Sequence, residues 1–146
     1  MNFTMQEYID FFSRNMMLSV AWLAIAGMFL HHVFKEKFSG FKNIDRQDAT
    51  LLINKENAIV VDVREPADYK KGHIVHAKNI TQSQIDDGKL SMIESHKQTP
   101  IIVVCDSGLR SKASAIKLAK AGFTNVNNLD EGMSGWVSEN LPVIRK

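Results

Sequence analysis

Cysteine is nearly missing from this chain of 146 residues, which has one, Cys105. A single thiol excludes an internal disulfide framework and suits a reducing compartment. Neither sign of charge dominates: 18 Lys and Arg against 16 Asp and Glu leave a formal net charge of +2. No basic stretch is interleaved with aromatic residues, which argues against a nucleic-acid partner. Internal repeats and low-complexity tracts are also lacking. The length allows one modest domain and something else besides.

That something is an uncharged run. Met16 to Leu30 contains no charged residue, and His31, His32, Val33 and Phe34 extend it. As a helix, residues 16–34 span ~28 Å, close to the ~30 Å hydrocarbon thickness of a bilayer. A core helix of this length normally carries a polar stripe, and this one has almost none, so it reads as a transmembrane helix. A cleaved leader should open short and basic, whereas Met1 to Asn15 carries Glu7 and Asp10 against Arg14. Ala24-Ile25-Ala26 resembles a cleavage site but lies inside the apolar run. Lys35, Lys37 and Lys42 follow the span and Arg14 precedes it, which orients the C-terminal part to the cytoplasm. Tyr8, Phe11 and Phe12 suit the outer interface as a short amphipathic turn. The expected organisation is an interfacial segment at 1–15, a single span at 16–34, a linker at 35–40 and a domain at 41–146. The expected location is a cell inner membrane, with membrane proteins among the partners.

Within the domain, strand and helix patterns alternate. Phe41 to Ile44, Ala58 to Val63, residues around Asn79-Ile80, Ile101 to Val104 and Val126 to Leu129 read as strands, the last being the final one. Asp45 can cap a helix from Arg46 to Asn54 that turns Ala49, Leu52 and Ile53 to the core. Pro66 suits the first turn of a short helix ending near Gly72. Ser83 to His96 is partly helical and broken at Gly88, and Trp136 packs a last helix before Pro142. This alternation predicts an α/β fold, a parallel sheet flanked by helices and preceded by the transmembrane helix.

The stretch with most chemistry is Ile101 to Gly122. Ile101 to Val104 shows no polar alternation, as in a strand covered on both faces. Cys105 follows, then a loop with Gly108, then a helical pattern with Leu109, Ala113, Ile116 and Ala119 as its apolar positions. Cys105 therefore stands where a strand gives way to a helix, the usual place for sites in α/β sheets. A tight loop there can aim backbone N–H groups at the sulfur, and the helix start adds partial positive charge; both favour the reactive thiolate. Gly108 supplies backbone freedom, and Arg110 a permanent cation for an anionic substrate. Asp106 opposes ionisation unless its carboxylate faces solvent.

CDSGLRS, Cys105 to Ser111, resembles the active-site loop of rhodanese-like sulfurtransferases, often C-x-x-G-x-R-[ST]. Val60 to Ile80 is similar to that family's D-x-R…GHI-x-G-A-x-N-I signature, and Ala121 to Trp136 to its terminal G-[FY]-x-x-V…L-x-G-G-x-x-W segment. The three lie in the family's order and cover residues 41–143. With the apolar N-terminus, the nearest resemblance is to membrane-anchored single-domain proteins of enterobacterial type. The resemblance implies a rhodanese-like domain whose catalytic Cys105 carries a persulfide. Asp106, Ser107, Gly108, Leu109 and Arg110 would form its substrate loop. It also implies a small sulfur donor, a thiol or protein-cysteine acceptor, and no cofactor or metal.

Asp62, Arg64 and His73 are expected to support the site structurally. Asp62 accepts backbone N–H bonds, Arg64 pairs with a carboxylate, and His73 is a hydrogen-bonded turn residue. His73 and His76, three apart without further ligands, do not make a metal site. Gly132 and Trp136 read as packing residues. The chain departs from the family pattern at Val75 and His76, where proline and glycine are usual, at Glu131, a glycine position, and at Asp106. An acid at the mouth of the loop disfavours thiosulfate, a dianion. Two other functions compete: a non-catalytic module recruiting a partner to the membrane, and cysteine-dependent phosphatase or arsenate reductase chemistry. The second needs five residues between cysteine and arginine, and here four intervene.

Overall fold

The computed structural model describes residues 4–37 and 39–146. The chain divides into two compact units between Ser39 and Gly40. Met1 to Phe3 of the expected interfacial segment and Phe38 of the expected linker lie outside the described residues.

The first unit is two helices. α1 (Met5–Arg14) is a full amphipathic helix where the sequence suggested only a turn. Thr4 caps it, its backbone N–H donating to Glu7 Oε2 at 2.9 Å. Met5, Ile9 and Phe12 recur at helical spacing and are exposed. Asn15 separates α1 from α2 (Met16–Lys37), which runs three residues beyond the expected span. Its Met16–Lys35 portion is long and apolar enough to cross a membrane, with none of it buried.

The second unit is the α/β domain. Its strands are β1 (Phe41–Ile44), β2 (Ile59–Asp62), β3 (His73–Ile74), β4 (Lys78–Asn79), β5 (Ile101–Val104), β6 (Val126–Leu129) and β7 (Val143–Ile144). Its helices are α3 (Arg46–Glu56), α4 (Pro66–Lys71), α5 (Gln82–Asp86), α6 (Arg110–Lys120) and α7 (Gly132–Ser138), with a 3-10 turn at Glu94–His96. Five strands form one parallel sheet in the order β1-β6-β5-β2-β4, which places β5 in the middle. Val126–Leu129 is not the last strand: β7 follows it and pairs antiparallel with β3 in a separate two-stranded ladder. Two-residue strands offer too short a pattern to read from sequence.

Strand alternation divides the core into two layers. Ile101, Val103 and Cys105 join Val61, Ile85, Ala115 and Leu118 on one side of the sheet. Ile102 and Val104 join Ala49, Met133 and Trp136 on the other. Asp45 caps α3 as expected, its carboxylate accepting from Asp48 N–H at 2.8 Å.

The buried face of α6 differs from the expected one. Ser111, Ser114, Ala115 and Leu118 are buried, while Ala113 and Leu109 are exposed. The helix is rotated because two serines have polar partners inside: Ser111 bonds to Asn128, and Ser114 to Gln82.

Candidate active site

Cys105 directly follows the central strand, and its side chain falls on the α6 side of the sheet, almost fully enclosed at 1% exposure. Residues 105–110 close a ring about its sulfur. Gly108 N–H donates to Sγ at 3.1 Å, and Ser111 Oγ lies 3.2 Å away. Three carbonyls of the ring are held by partners outside it. Met133 N–H of α7 donates to Cys105 O at 2.8 Å, and Ser134 N–H to Asp106 O at 2.9 Å. Asn128 Nδ2 donates to Gly108 O at 3.1 Å. In a trans peptide the C=O and the following N–H point opposite ways, so holding Asp106 O outward turns the Ser107 N–H toward the sulfur.

Two glycines permit this closure. Gly108 has φ of +83°, and a Cβ there would lie 2.9 Å from Leu129 O and 3.0 Å from Glu131 N. Gly132 has φ of +52°, and its Cβ would overlap Cys105 O. The turn from β6 into α7 thus presses against the ring with backbone on backbone. Gly132 does more than fill a packing role.

Burial works against ionisation of the Cys105 thiol. The Ser111 hydroxyl and the backbone N–H groups of Ser111, Ser107 and Gly108 outweigh it, and the thiol pKa lies below its ordinary value. Ser111 is itself fixed at 2.5 Å from Asn128 Oδ1, and Asn128 Nδ2 also donates to Asn43 Oδ1 at 2.9 Å. A serine has a single hydroxyl proton. With a thiol, S–H can donate to Ser111 Oγ while Ser111 donates to Asn128. With a thiolate, that proton is drawn toward sulfur.

The charged residues form a chain beside the ring. Arg64 Nε and Nη2 donate to Asp62 Oδ1 at 3.0 Å and Oδ2 at 2.7 Å, and Nη2 also donates to Gly72 O at 2.7 Å. Asp62 Oδ1 accepts from Arg64 N–H at 3.0 Å as well. Arg64 Nη1 reaches Asp106 Oδ1 at 3.5 Å, and Arg110 Nη2 donates to Asp106 Oδ2 at 2.9 Å. Asp106 therefore sits between two guanidinium groups, half exposed. Ser107 and Leu109 are exposed on the outer rim. His73 lies in β3, where its Nδ1 donates to Tyr69 O at 2.8 Å and its ring stacks on that of Tyr69. His76 is exposed, in contrast to buried His73.

Ser111 and Asn128, whose side chains contact the ring, were not singled out from sequence, nor were Met133 and Ser134, which hold it through their backbone N–H groups. The [ST] after the arginine of the loop pattern was a signal for Ser111. For Asn128 the signal was Asn127-Asn128 inside a strand that should be wholly apolar.

The comparisons with known proteins agree with this geometry. A model of the Rhodanese-like domain matches residues 45–139. The chain is 45% identical over 141 residues to the uncharacterized protein YibN of Escherichia coli K12, covering 97% of this chain and 99% of that protein. It is 32% identical over 96 residues to the thiosulfate sulfurtransferase GlpE of Pseudoalteromonas translucida, covering 66% of this chain and 89% of that protein. A crystal structure of a rhodanese-related protein from Thermoplasma volcanium superposes with a TM-score of 0.61 at 30% identity, covering 72% of this chain and 99% of the other. A parallel sheet in this order, a cysteine ringed by amides after its central strand and a match over most of the domain lead to one assignment: the chain belongs to the rhodanese-like domain family.

Proposed function

We propose that this chain is a membrane-tethered sulfurtransferase that carries sulfane sulfur as a persulfide on Cys105. The observation carrying this reading is the ring itself. It lowers the thiol pKa and holds donors around a sulfur atom, and an anionic persulfide needs the same donors.

The reaction is a double displacement. Cys105 thiolate attacks the sulfane sulfur of a donor. The bond joining that sulfur to the donor breaks, its electron pair leaves with the donor fragment, and Cys105 becomes a persulfide. An acceptor thiolate then attacks the outer sulfur, and the Cys105 thiolate departs. Asp106, Ser107, Gly108, Leu109 and Arg110 form the wall along which donor and acceptor approach. Asp62 and Arg64 hold the neighbouring loop in place, and His73 does so one step further out. α2 anchors the domain to the inner membrane on its cytoplasmic side, in keeping with Lys35, Lys37 and Lys42 after the span.

Incubation with donor should add one sulfur atom to the intact mass, and Cys105→Ser should abolish the gain. No adduct with thiosulfate, mercaptopyruvate or a low-molecular-weight persulfide would overturn the reading. Protease added outside spheroplasts should leave the domain intact; digestion there would overturn the orientation.

A further inference from the structure

The charges around the ring also discriminate among donors, an inference that rests on the sulfur-transfer reading. Two guanidinium groups adjoin the ring, those of Arg64 and Arg110. Arg64 is committed to Asp62 by paired bonds and to Gly72 O. Arg110 projects toward solvent, 65% exposed, yet its Nη2 is bound to Asp106 Oδ2 at 2.9 Å. The other Asp106 oxygen faces Arg64. Formal charges on Asp62, Arg64, Asp106 and Arg110 cancel, so these four leave the charge of a Cys105 thiolate unbalanced. Both guanidinium groups that a dianion would meet there already hold a carboxylate. On the rim, Leu109 is apolar and 70% exposed.

We infer that Asp106 is a specificity residue that occupies Arg110 and selects against dianionic donors such as thiosulfate, making alkyl persulfides, R–S–SH, the preferred donor class. The transfer balances: Cys105 thiolate bonds to the outer sulfur of R–S–SH, the S–S bond breaks, and R–S⁻ departs while the proton stays on the transferred sulfur. An alkyl persulfide brings no sulfonate beside the thiolate. Its R group meets the apolar rim at Leu109.

The test compares loading of Cys105 by thiosulfate and by 2-hydroxyethyl persulfide, read as second-order rates of persulfide formation from intact mass. Asp106→Asn keeps the shape, and the bond from Ser134 N–H to the Asp106 backbone carbonyl does not depend on the side chain. Removing one negative charge roughly 6 Å from a dianion in a water-like medium changes a rate by about tenfold. The wild type should favour 2-hydroxyethyl persulfide. In Asp106→Asn the thiosulfate-to-persulfide rate ratio should rise by about tenfold, and less at high salt, where exposed charges are screened. Adding Arg110→Gln to that variant should return the ratio toward its starting value. An unchanged ratio with both donors loading, or a wild type that favours thiosulfate, overturns the donor assignment alone. No loading by either donor in either protein overturns the sulfur-transfer reading and this inference with it.

Discussion

The ring about Cys105 and the turn at Val75–His76 both need left-handed backbone, and they obtain it from different residues. In and against the ring the positions are glycines, Gly108 and Gly132. In the turn the position is His76 with φ of +63°, and at the edge of the ring it is Glu131 with φ of +58°. The family pattern places glycine at both of these, and here the turn keeps its left-handed step with a side chain in place. The difference lies in what a Cβ would meet. At Gly132 it would overlap Cys105 O, and at Gly108 it would press on Leu129 O and Glu131 N. His76 and the Glu131 side chain are exposed. A left-handed L residue costs about 1–2 kcal/mol, which a domain can carry, whereas backbone overlap cannot be relieved by a rotamer change. Glycine is needed here because two backbones touch; a positive φ alone leaves the choice open.

Gly132→Ala breaks that contrast most severely. Its Cβ would have to push the Cys105 carbonyl away, and Met133 N–H would lose its acceptor with it. The expected loss is about 4 kcal/mol or more, measured by chemical denaturation, with Cys105 alkylation no faster than that of an unstructured thiol. Gly108→Ala follows, at about 2–3 kcal/mol, because its contacts near 3 Å ask for smaller shifts. A Gly132→Ala protein of wild-type stability and reactivity would remove the argument from backbone contact.

Much of this was legible beforehand. Ile101 to Val104 and Ile59 to Asp62 are β-branched runs ended by polar residues, and such runs announce buried parallel strands. The cysteine, glycine and arginine of the ring could be located because their spacing is local. The brace could not: Asn128 and Gly132 are more than twenty residues from Cys105, and only the crossover from β5 through α6 to β6 brings them to it. The rotation of α6 was hidden because an apolar periodicity counts Ser111 and Ser114 as surface, and both are buried by partners that lie elsewhere in the chain. Arg110 was expected to await an anion, and the structure shows it holding Asp106; one dimension could not show which way that carboxylate turned.

Ser111→Ala probes the ring through a side chain instead of the backbone, so its effect is smaller and more selective. The thiol pKa lies below its ordinary value because donors, Ser111 foremost, outweigh burial. Losing this bond to the thiolate should raise the pH midpoint of Cys105 alkylation. The sign for stability follows from the same shift. A depressed folded-state pKa adds stability that grows as pH rises through that value and is complete above the unfolded thiol pKa; it disappears as pH falls through the folded-state value. Ser111→Ala should flatten this rise. An unmoved midpoint would leave the backbone amides as the whole cause.

The smallest effects come from giving the turn what the ring already has. His76→Gly relieves left-handed strain at an exposed position and should stabilise the domain by about 0.5–1 kcal/mol after the extra entropy of an unfolded glycine. Glu131→Gly is the closer contest. It relieves similar strain, but Glu131 shares Arg46 with Glu139, and that pairing is lost on one side. Exposed pairs weaken with salt while backbone strain does not. The gain from Glu131→Gly should therefore fall short of that from His76→Gly in dilute buffer and approach it as salt is added, both read from denaturation midpoints. Equal gains at every ionic strength would mean that the Arg46 pair contributes nothing, and that the left-handed backbone is the only reason a side chain at residue 131 matters.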